Sequence, residues 1–171
     1  MILYLFNVYM DIALSDKDIM RLIKGKANLL TYTELQKYNN IDQVLGPYSA
    51  LVLLYETSKN FGHWVCVFKV NENTIEHFDS YGLKPDDELK FIPEYFREVN
   101  YEEIPHLTYL LYNSGYNVIY NEFKLQKKKK GINTCGRWVA TRLIYRMIPQ
   151  KVFAKFFLEY NNPDEIIVQL T

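Results

Sequence analysis

The chain has 171 residues, 49% apolar and 16% aromatic, with basic and acidic residues balanced at 20 each. Those values exclude a disordered chain, and a global field that would draw it to nucleic acid or an anionic membrane. The length suits one domain that buries about 70% of its unfolded surface. Two cysteines and three scattered histidines form neither a disulfide framework nor a metal box, which points to a reducing compartment and no cofactor.

Residues 1–10 are apolar but lack a basic n-region and a small-residue cleavage site, and are too short to span a bilayer. They read as a strand or ordered arm packed on the core, with no membrane role; the sequence would also read naturally from Met10. Ser15-Asp16-Lys17-Asp18 before Ile19 is a capping-box pattern that opens a short helix. Thr33 to Tyr38 and Ile41 to Leu45 read as short helical or turn pieces, and Gly46-Pro47 breaks the chain. Ala50 to Tyr55, His63 to Val70 and Ile75 to Asp79 read as strands, the last two joined by Asn71-Glu72-Asn73. Leu107 to Tyr112 and Asn117 to Tyr120 read as two further strands. The helix after Cys135 should end at Pro149. Lys151 to Tyr160 and Asp164 to Leu170 are predicted helices, the second with Asn162 as cap and Pro163 at its first position. The class is α+β, a mostly antiparallel sheet with helices packed around it. One domain is expected over residues 1–171, with its core at about 45–148, an N-terminal arm and helix over 1–45, and C-terminal helices over 149–171.

Cys135 stands in Asn133-Thr134-Cys135-Gly136-Arg137-Trp138, where a turn gives way to an apolar helix. Unpaired N–H groups at a helix start favour a thiolate. Upstream lie Gly62-His63-Trp64 and Phe78-Asp79-Ser80-Tyr81-Gly82, so a thiol, an imidazole and a carboxylate sit on three different elements. Strand alternation puts His63 on one face with Val65 and Val67, and Trp64, Cys66 and Phe68 on the other. Both faces are apolar, so the strand should be central. A three-residue loop at 71–73, with Asn73 tolerating positive φ, pairs Val65 with Asp79 and brings Asp79 to the His63 face. Cys135 is then the candidate nucleophile, His63 the general base and Asp79 the group that orients the imidazole. The Cys135 backbone N–H and the Gln126 side-chain amide are the candidate oxyanion donors.

The remaining chemical groups have simpler readings. Cys66 and His77 are structural, His106 is a loop residue, and Trp64 is a core aromatic that walls the site from water. Lys127, Lys128, Lys129 and Lys130 read as a solvated loop that leaves room for contact with acidic substrates or nucleic acid. Arg137 and Arg142 are expected at the helix surface or in ion pairs.

In the chain order His63-Trp64, Asp79, Gln126, Thr134-Cys135-Gly136, these residues resemble the adenain-like cysteine peptidases. That group contains the adenovirus maturation protease and the proteases of SUMO-type modifiers. Asn133-Thr134-Cys135-Gly136 and Asn162-Pro163-Asp164-Glu165 look most like members encoded by large DNA viruses and related mobile elements. The resemblance implies a sheet carrying the histidine and aspartate, packed against a helix with the cysteine at its start. It also implies a polypeptide substrate with small residues, glycine above all, near the scissile bond. In the family the glutamine stands closer to the cysteine; here Gln126 is nine residues before Cys135, with the lysines between.

The leading reading is a thiol endopeptidase that processes viral precursors in the virion or the infected host cell, in its cytoplasm or nucleus. An isopeptidase acting on ubiquitin-like conjugates has the same chemistry. Acyl transfer from coenzyme A and a binding module that retains the fold stand as further alternatives.

Overall fold

The computed structural model describes residues 8–100 and 103–171. The arm expected over residues 1–10 lies mostly outside the described residues; at its described end, residues 8–11 are helical and Met10 is buried. Strands β1 (Asn28–Thr31), β2 (Ala50–Ser58), β3 (Phe61–Asn71), β4 (Thr74–Phe78) and β5 (Asn117–Tyr120) lie in that order in a five-stranded sheet. The long inner pairings β2/β3 and β3/β4 are antiparallel, and the short outer strands β1 and β5 join in parallel. The class is the expected α+β, with a mostly antiparallel sheet. The sequence reading had no element at Asn28–Thr31, where polar and apolar residues do not alternate.

The helices are α1 (Asp16–Leu22), α2 (Ile41–Leu45), α3 (Glu94–Val99), α4 (His106–Tyr112), α5 (Cys135–Ile144), α6 (Gln150–Leu158) and α7 (Pro163–Leu170). They cover both faces of the sheet, because β3 is apolar on both. Trp64, Cys66 and Phe68 pack with Ile19 of α1, Trp138 of α5, Phe153 of α6 and Ile167 of α7. Val65 and Val67 pack with Val44 of α2, Leu107 of α4, and Tyr32 and Leu35 from a short 3-10 helix. The alternation read from β3 therefore holds. Among the described residues no helix is long and apolar enough to cross a membrane.

Local signals account for several boundaries. Ser15 Oγ accepts the Asp18 N–H at 3.2 Å and Asp18 returns the contact to the Ser15 N–H, which closes the capping box that starts α1. Pro163 is the first residue of α7 with Asn162 as its cap; the Asn162 amide donates to Glu165 Oε1 instead of capping the backbone.

Three expectations are corrected. Residues 106–112 form helix α4 and not a strand: Leu107, Leu110 and Leu111 point inward while Thr108, Tyr109 and Tyr112 are exposed, which is a helical period in a short apolar run. Helix α5 stops at Ile144, well before Pro149, which instead caps α6. Arg142 explains the early stop, since its guanidinium takes the carbonyls of Tyr145 and Ile148 at 2.9 and 3.0 Å. The β3/β4 turn is also built differently. Asn71 pairs with Thr74 around a two-residue turn, and a bulge between Lys69 and Asn71 then shifts the register by one. Asn73 needs no positive φ and has none. The outcome is nonetheless the register that serves the site: Cys66 faces Phe78, so Asp79 falls beside Val65.

Arg142 and Arg137 are buried and not at the helix surface. The Arg142 Nε and Nη2 groups donate to Glu76 Oε1 and Oε2, each at 2.8 Å, which ties α5 to β4 with both partners closed to solvent. Its guanidinium also lies over the rings of Phe68 and Phe153. Glu76→Ala should therefore destabilise the fold by about 3–5 kcal/mol, because it leaves a buried charge uncompensated. Glu76→Ala with Arg142→Met should recover much of that loss, and urea unfolding of the single and double variants measures both.

Candidate active site

Cys135 is the first residue of α5 and is 7% exposed. Its position follows from the residues around it. Thr134 Oγ1 donates to Asp164 Oδ1 at 2.5 Å, and Trp138 Nε1 donates to the same oxygen at 3.1 Å. The Lys127 N–H donates to the other Asp164 oxygen at 2.9 Å. One buried carboxylate at the start of α7 thus holds the first turn of α5 and the loop that enters it. On the other side, the Asn133 N–H donates to the Met10 carbonyl at 2.7 Å, and its amide donates to Asp11.

His63 sits near the start of β3 and Asp79 directly follows β4. His63 Nε2 and Asp79 Oδ1 are 3.0 Å apart, and both residues are buried. Nε2 is engaged by Asp79, and the Cys135 thiol lies close enough to the ring to act on its pKa. Tyr81 fixes the ring plane by stacking on His63 at 4.5 Å and 16°, and its backbone N–H donates to Asp79 Oδ1 at 2.7 Å. Gly62 precedes the histidine because a Cβ there would fall 1.9 Å from the Tyr55 carbonyl oxygen. The turn that carries Asp79 is pinned from outside the sheet. Asn121 donates to the Asp79 carbonyl at 2.7 Å, and the N–H groups of Leu125 and Gln126 donate to the Ser80 carbonyl.

Gln126 is buried beside this turn. Its Oε1 accepts the Ser80 hydroxyl at 2.7 Å, which turns Nε2 towards the Tyr81 hydroxyl at 3.3 Å and the Ile132 carbonyl at 3.4 Å. The side chains of Lys127, Lys128, Lys129 and Lys130 stay exposed. Lys128 Nζ lies 3.2 Å from the Phe91 ring centroid and 5.5 Å from that of Tyr81, at the border of the site.

Burial is the largest influence on His63 and lowers its pKa. The Asp79 charge and hydrogen bond, followed by the Cys135 contact, outweigh it and hold the imidazole well above its ordinary value. His77 has no such partner, and burial pulls it down to about 4. Burial pushes the Cys66 thiol well up, and the Glu76 charge adds to that, so Cys66 is an inert core residue as expected. Among the described residues, one group has the composition to hold a metal: a His63 ring nitrogen and one carboxylate oxygen each from Asp79 and Glu88 lie within 4.8 Å of one another.

Beside Cys135 opens a cleft of about 510 Å³ with Leu14, Leu29, Leu54, Phe61 and Trp64 in its walls. Trp64 therefore flanks the thiol as well as filling the core. The sequence reading passed over Tyr81, Ser80, Asp164 and Glu88. Tyr81 and Ser80 stand inside the motif around Asp79, and Asp164 inside the Asn162-Pro163-Asp164-Glu165 quartet, but a tyrosine that stacks and a carboxylate that anchors leave no spacing to read. Glu88 lies in a stretch without periodicity.

The chain matches no family model. The uncharacterized protein V9 of Sputnik virophage is 43% identical over 168 residues, covering 95% of this chain and 96% of that protein. Among solved structures, the chain is similar to SUMO protease Ulp1 with its catalytic cysteine oxidized to a sulfinic acid. That identity is 15% and the TM-score 0.42, over 88% of this chain and 69% of that chain. A likeness so shallow carries no argument about the site.

Two titrations check the electrostatics. Asp79→Asn removes the attraction that offsets burial, so the His63 pKa should move from above its ordinary value to below it, as read from the imidazole proton shifts by NMR. His77 has a folded pKa near 4 against an unfolded value of 6.5, so protons favour the unfolded chain between them. Its contribution to stability is complete above about pH 6.5 and is lost as pH falls towards about 4, by about 3 kcal/mol. His77→Phe should flatten that part of a stability–pH curve measured by denaturant unfolding.

Proposed function

The chain belongs to the family of Sputnik virophage protein V9, and from its site we propose that it is a thiol endopeptidase acting on polypeptides. The observation that carries this reading is the convergence of the Cys135 thiol on an imidazole that is buried, stacked and hydrogen-bonded to Asp79. His63 takes the thiol proton, and the Cys135 sulfur attacks the scissile carbonyl carbon. Charge builds on the carbonyl oxygen, where the Cys135 backbone N–H, free of any intrahelical acceptor at the helix start, donates together with the Gln126 side-chain amide, which gives up one of its long contacts to the Tyr81 hydroxyl and the Ile132 carbonyl to do so. The tetrahedral intermediate collapses to a thioester while His63 returns its proton to the leaving amine. A water molecule, deprotonated by His63, then attacks the thioester carbonyl and releases the acid and the thiol.

The cleft favours a polypeptide over an acyl group carried on coenzyme A. Its described walls are largely apolar and contain neither lysine nor arginine, so the phosphates of that cofactor meet no cation there. The lysines at 127–130 are exposed, Lys128 lies at the border of the site, and the run suits an acidic stretch of substrate or nucleic acid. The resemblance to adenain-like enzymes supports glycine or another small residue near the scissile bond. The viral relative supports a setting in the infected host cell, where viral precursor proteins are the substrates this reading assigns.

The test is a peptide library made from virion and host proteins, incubated with wild type and with Cys135→Ala, with new termini read by mass spectrometry. Wild type should generate a common cleavage sequence that Cys135→Ala does not. On a peptide so identified, Gln126→Ala should lower kcat by about 10²-fold; an unchanged rate would remove Gln126 from the oxyanion site.

A further inference from the structure

The walls of the cleft beside Cys135 are largely apolar, but the start of α1 brings a carboxylate into them. Ala13, Leu14, Ser15 and Asp16 line it, together with Phe61 and Trp64. Other polar groups of the walls are already committed within the protein. Ser15 Oγ donates to Asp18 Oδ2 at 2.7 Å, Thr31 Oγ1 to Glu34 Oε2 at 3.2 Å, and the Asn133 amide to Asp11. Asp16 differs. Its Oδ1 accepts the Lys17 N–H at 2.8 Å, and among the described residues no cation pairs with it, whereas Asp18 pairs with Arg21 at 3.4 Å.

We propose that Asp16 is a specificity-determining residue: the cleft takes a lysine or arginine side chain of the polypeptide, with its alkyl stem against Leu14, Leu54, Phe61 and Trp64 and its cation at the Asp16 carboxylate. A long stem with a charged tip covers apolar surface with its methylenes and keeps the tip in water, which matches an apolar cleft that carries an exposed carboxylate. Phe61 is 54% exposed in these walls, so a stem laid on it removes apolar area from water. The charge around the cleft is of one sign at two further points. Asp11 accepts the amide of Asn133 and Glu56 accepts the N–H of Asn60, and both asparagines line the cleft. Lys17 and Lys59 are sequence neighbours of lining residues but stand outside the described walls. An acidic side chain would meet carboxylates there and no cation, so the same arrangement rejects it.

The wall that carries Asp16 is held to the thiol. Gly136 lets α5 come against it, since a Cβ there would fall 3.1 Å from Leu14 Cβ and 3.0 Å from Ile19 Cδ1. The bond from the Asn133 N–H to the Met10 carbonyl ties the same segment to the turn before Cys135. The Ser15–Asp18 capping box fixes where α1 starts, and therefore where Asp16 stands. Phe61 follows the β2/β3 turn, which is set by Asn60 in the left-handed region at φ 60 and by its N–H bond to Glu56 at 2.8 Å.

This selectivity rests on the peptidase reading, which puts a polypeptide in the cleft, and it is tested by binding so that the two can fail separately. Glycine–alanine hexapeptides with one variable residue at each position in turn, as lysine, norleucine, glutamate or glycine, are titrated into Cys135→Ala and followed by NMR. At one position lysine should bind about threefold to fivefold tighter than norleucine, the worth of an exposed ion pair. Norleucine should in turn bind tighter than glycine or glutamate. Asp16→Asn keeps the capping box and should bring lysine down to norleucine, and Asp16→Lys should put glutamate above lysine. Equal affinities for lysine and norleucine at every position, absence of binding by both included, overturn the proposal, as does a lysine preference that survives Asp16→Asn. The same peptides are then given to wild type. If none is cut although the binding order holds, the peptidase reading fails and the selectivity stands; if peptides are cut and the binding order is absent, the selectivity alone fails.

Discussion

A histidine as closed to water as His63 should give up its proton, and the Asp79 carboxylate at 3.0 Å reverses that. Removing an imidazolium from water is unfavourable, so the pair is stable only while the distance and the donors around Asp79 are kept. Much of the surrounding structure serves that end. The bulge in β3 corrects the register of a two-residue turn so that Asp79 falls on the His63 face. Asn121, Leu125 and Gln126 hold the Asp79–Ser80 turn from behind, and the Tyr81 ring covers the imidazole.

The Cys135 thiol comes from a different layer. His63 belongs to the face with Val65 and Val67, whereas α5 packs on the face with Trp64 and Cys66. The two meet at the end of the sheet, where β4 stops at Phe78 and Asp79 begins the turn. Such a meeting depends on how α5 is set along its axis, and polar anchors fix it at both ends. Asp164 binds Thr134 and Trp138 at its start, and Glu76 binds Arg142 near its finish. Buried ionic contacts of this kind add little net stability over a well-packed apolar alternative. Their effect here is on position.

What could be read in the sequence followed from periodicity and turn chemistry. The two-sided apolar pattern around His63 placed β3 at the centre, and Ser15 with Asp18 marked the start of α1. The turn before Cys135 and the apolar run after it marked the start of α5, although Thr134 gives its hydroxyl to Asp164 and does not cap the helix. Where the signal is tertiary, the sequence was silent or misleading. Leu107 to Tyr112 is too short and apolar for its period to separate helix from strand, and its partners on β3 decide the matter. The hairpin register was correct for the wrong reason, since a bulge leaves no compositional trace. Tyr81 and Asp164 act through contacts to residues far along the chain, and no spacing encodes those.

The account stands on a thiol made reactive by a charged imidazole, and that can be measured without knowing a substrate. The measurement is the rate of alkylation of Cys135 and Cys66 as a function of pH, by peptide mass spectrometry, in wild type and His63→Ala. The account predicts that Cys135 reacts quickly well below the ordinary thiol pKa of about 8.5, that Cys66 does not, and that His63→Ala abolishes the difference. A Cys135 that follows the ordinary thiol curve in both proteins would contradict it.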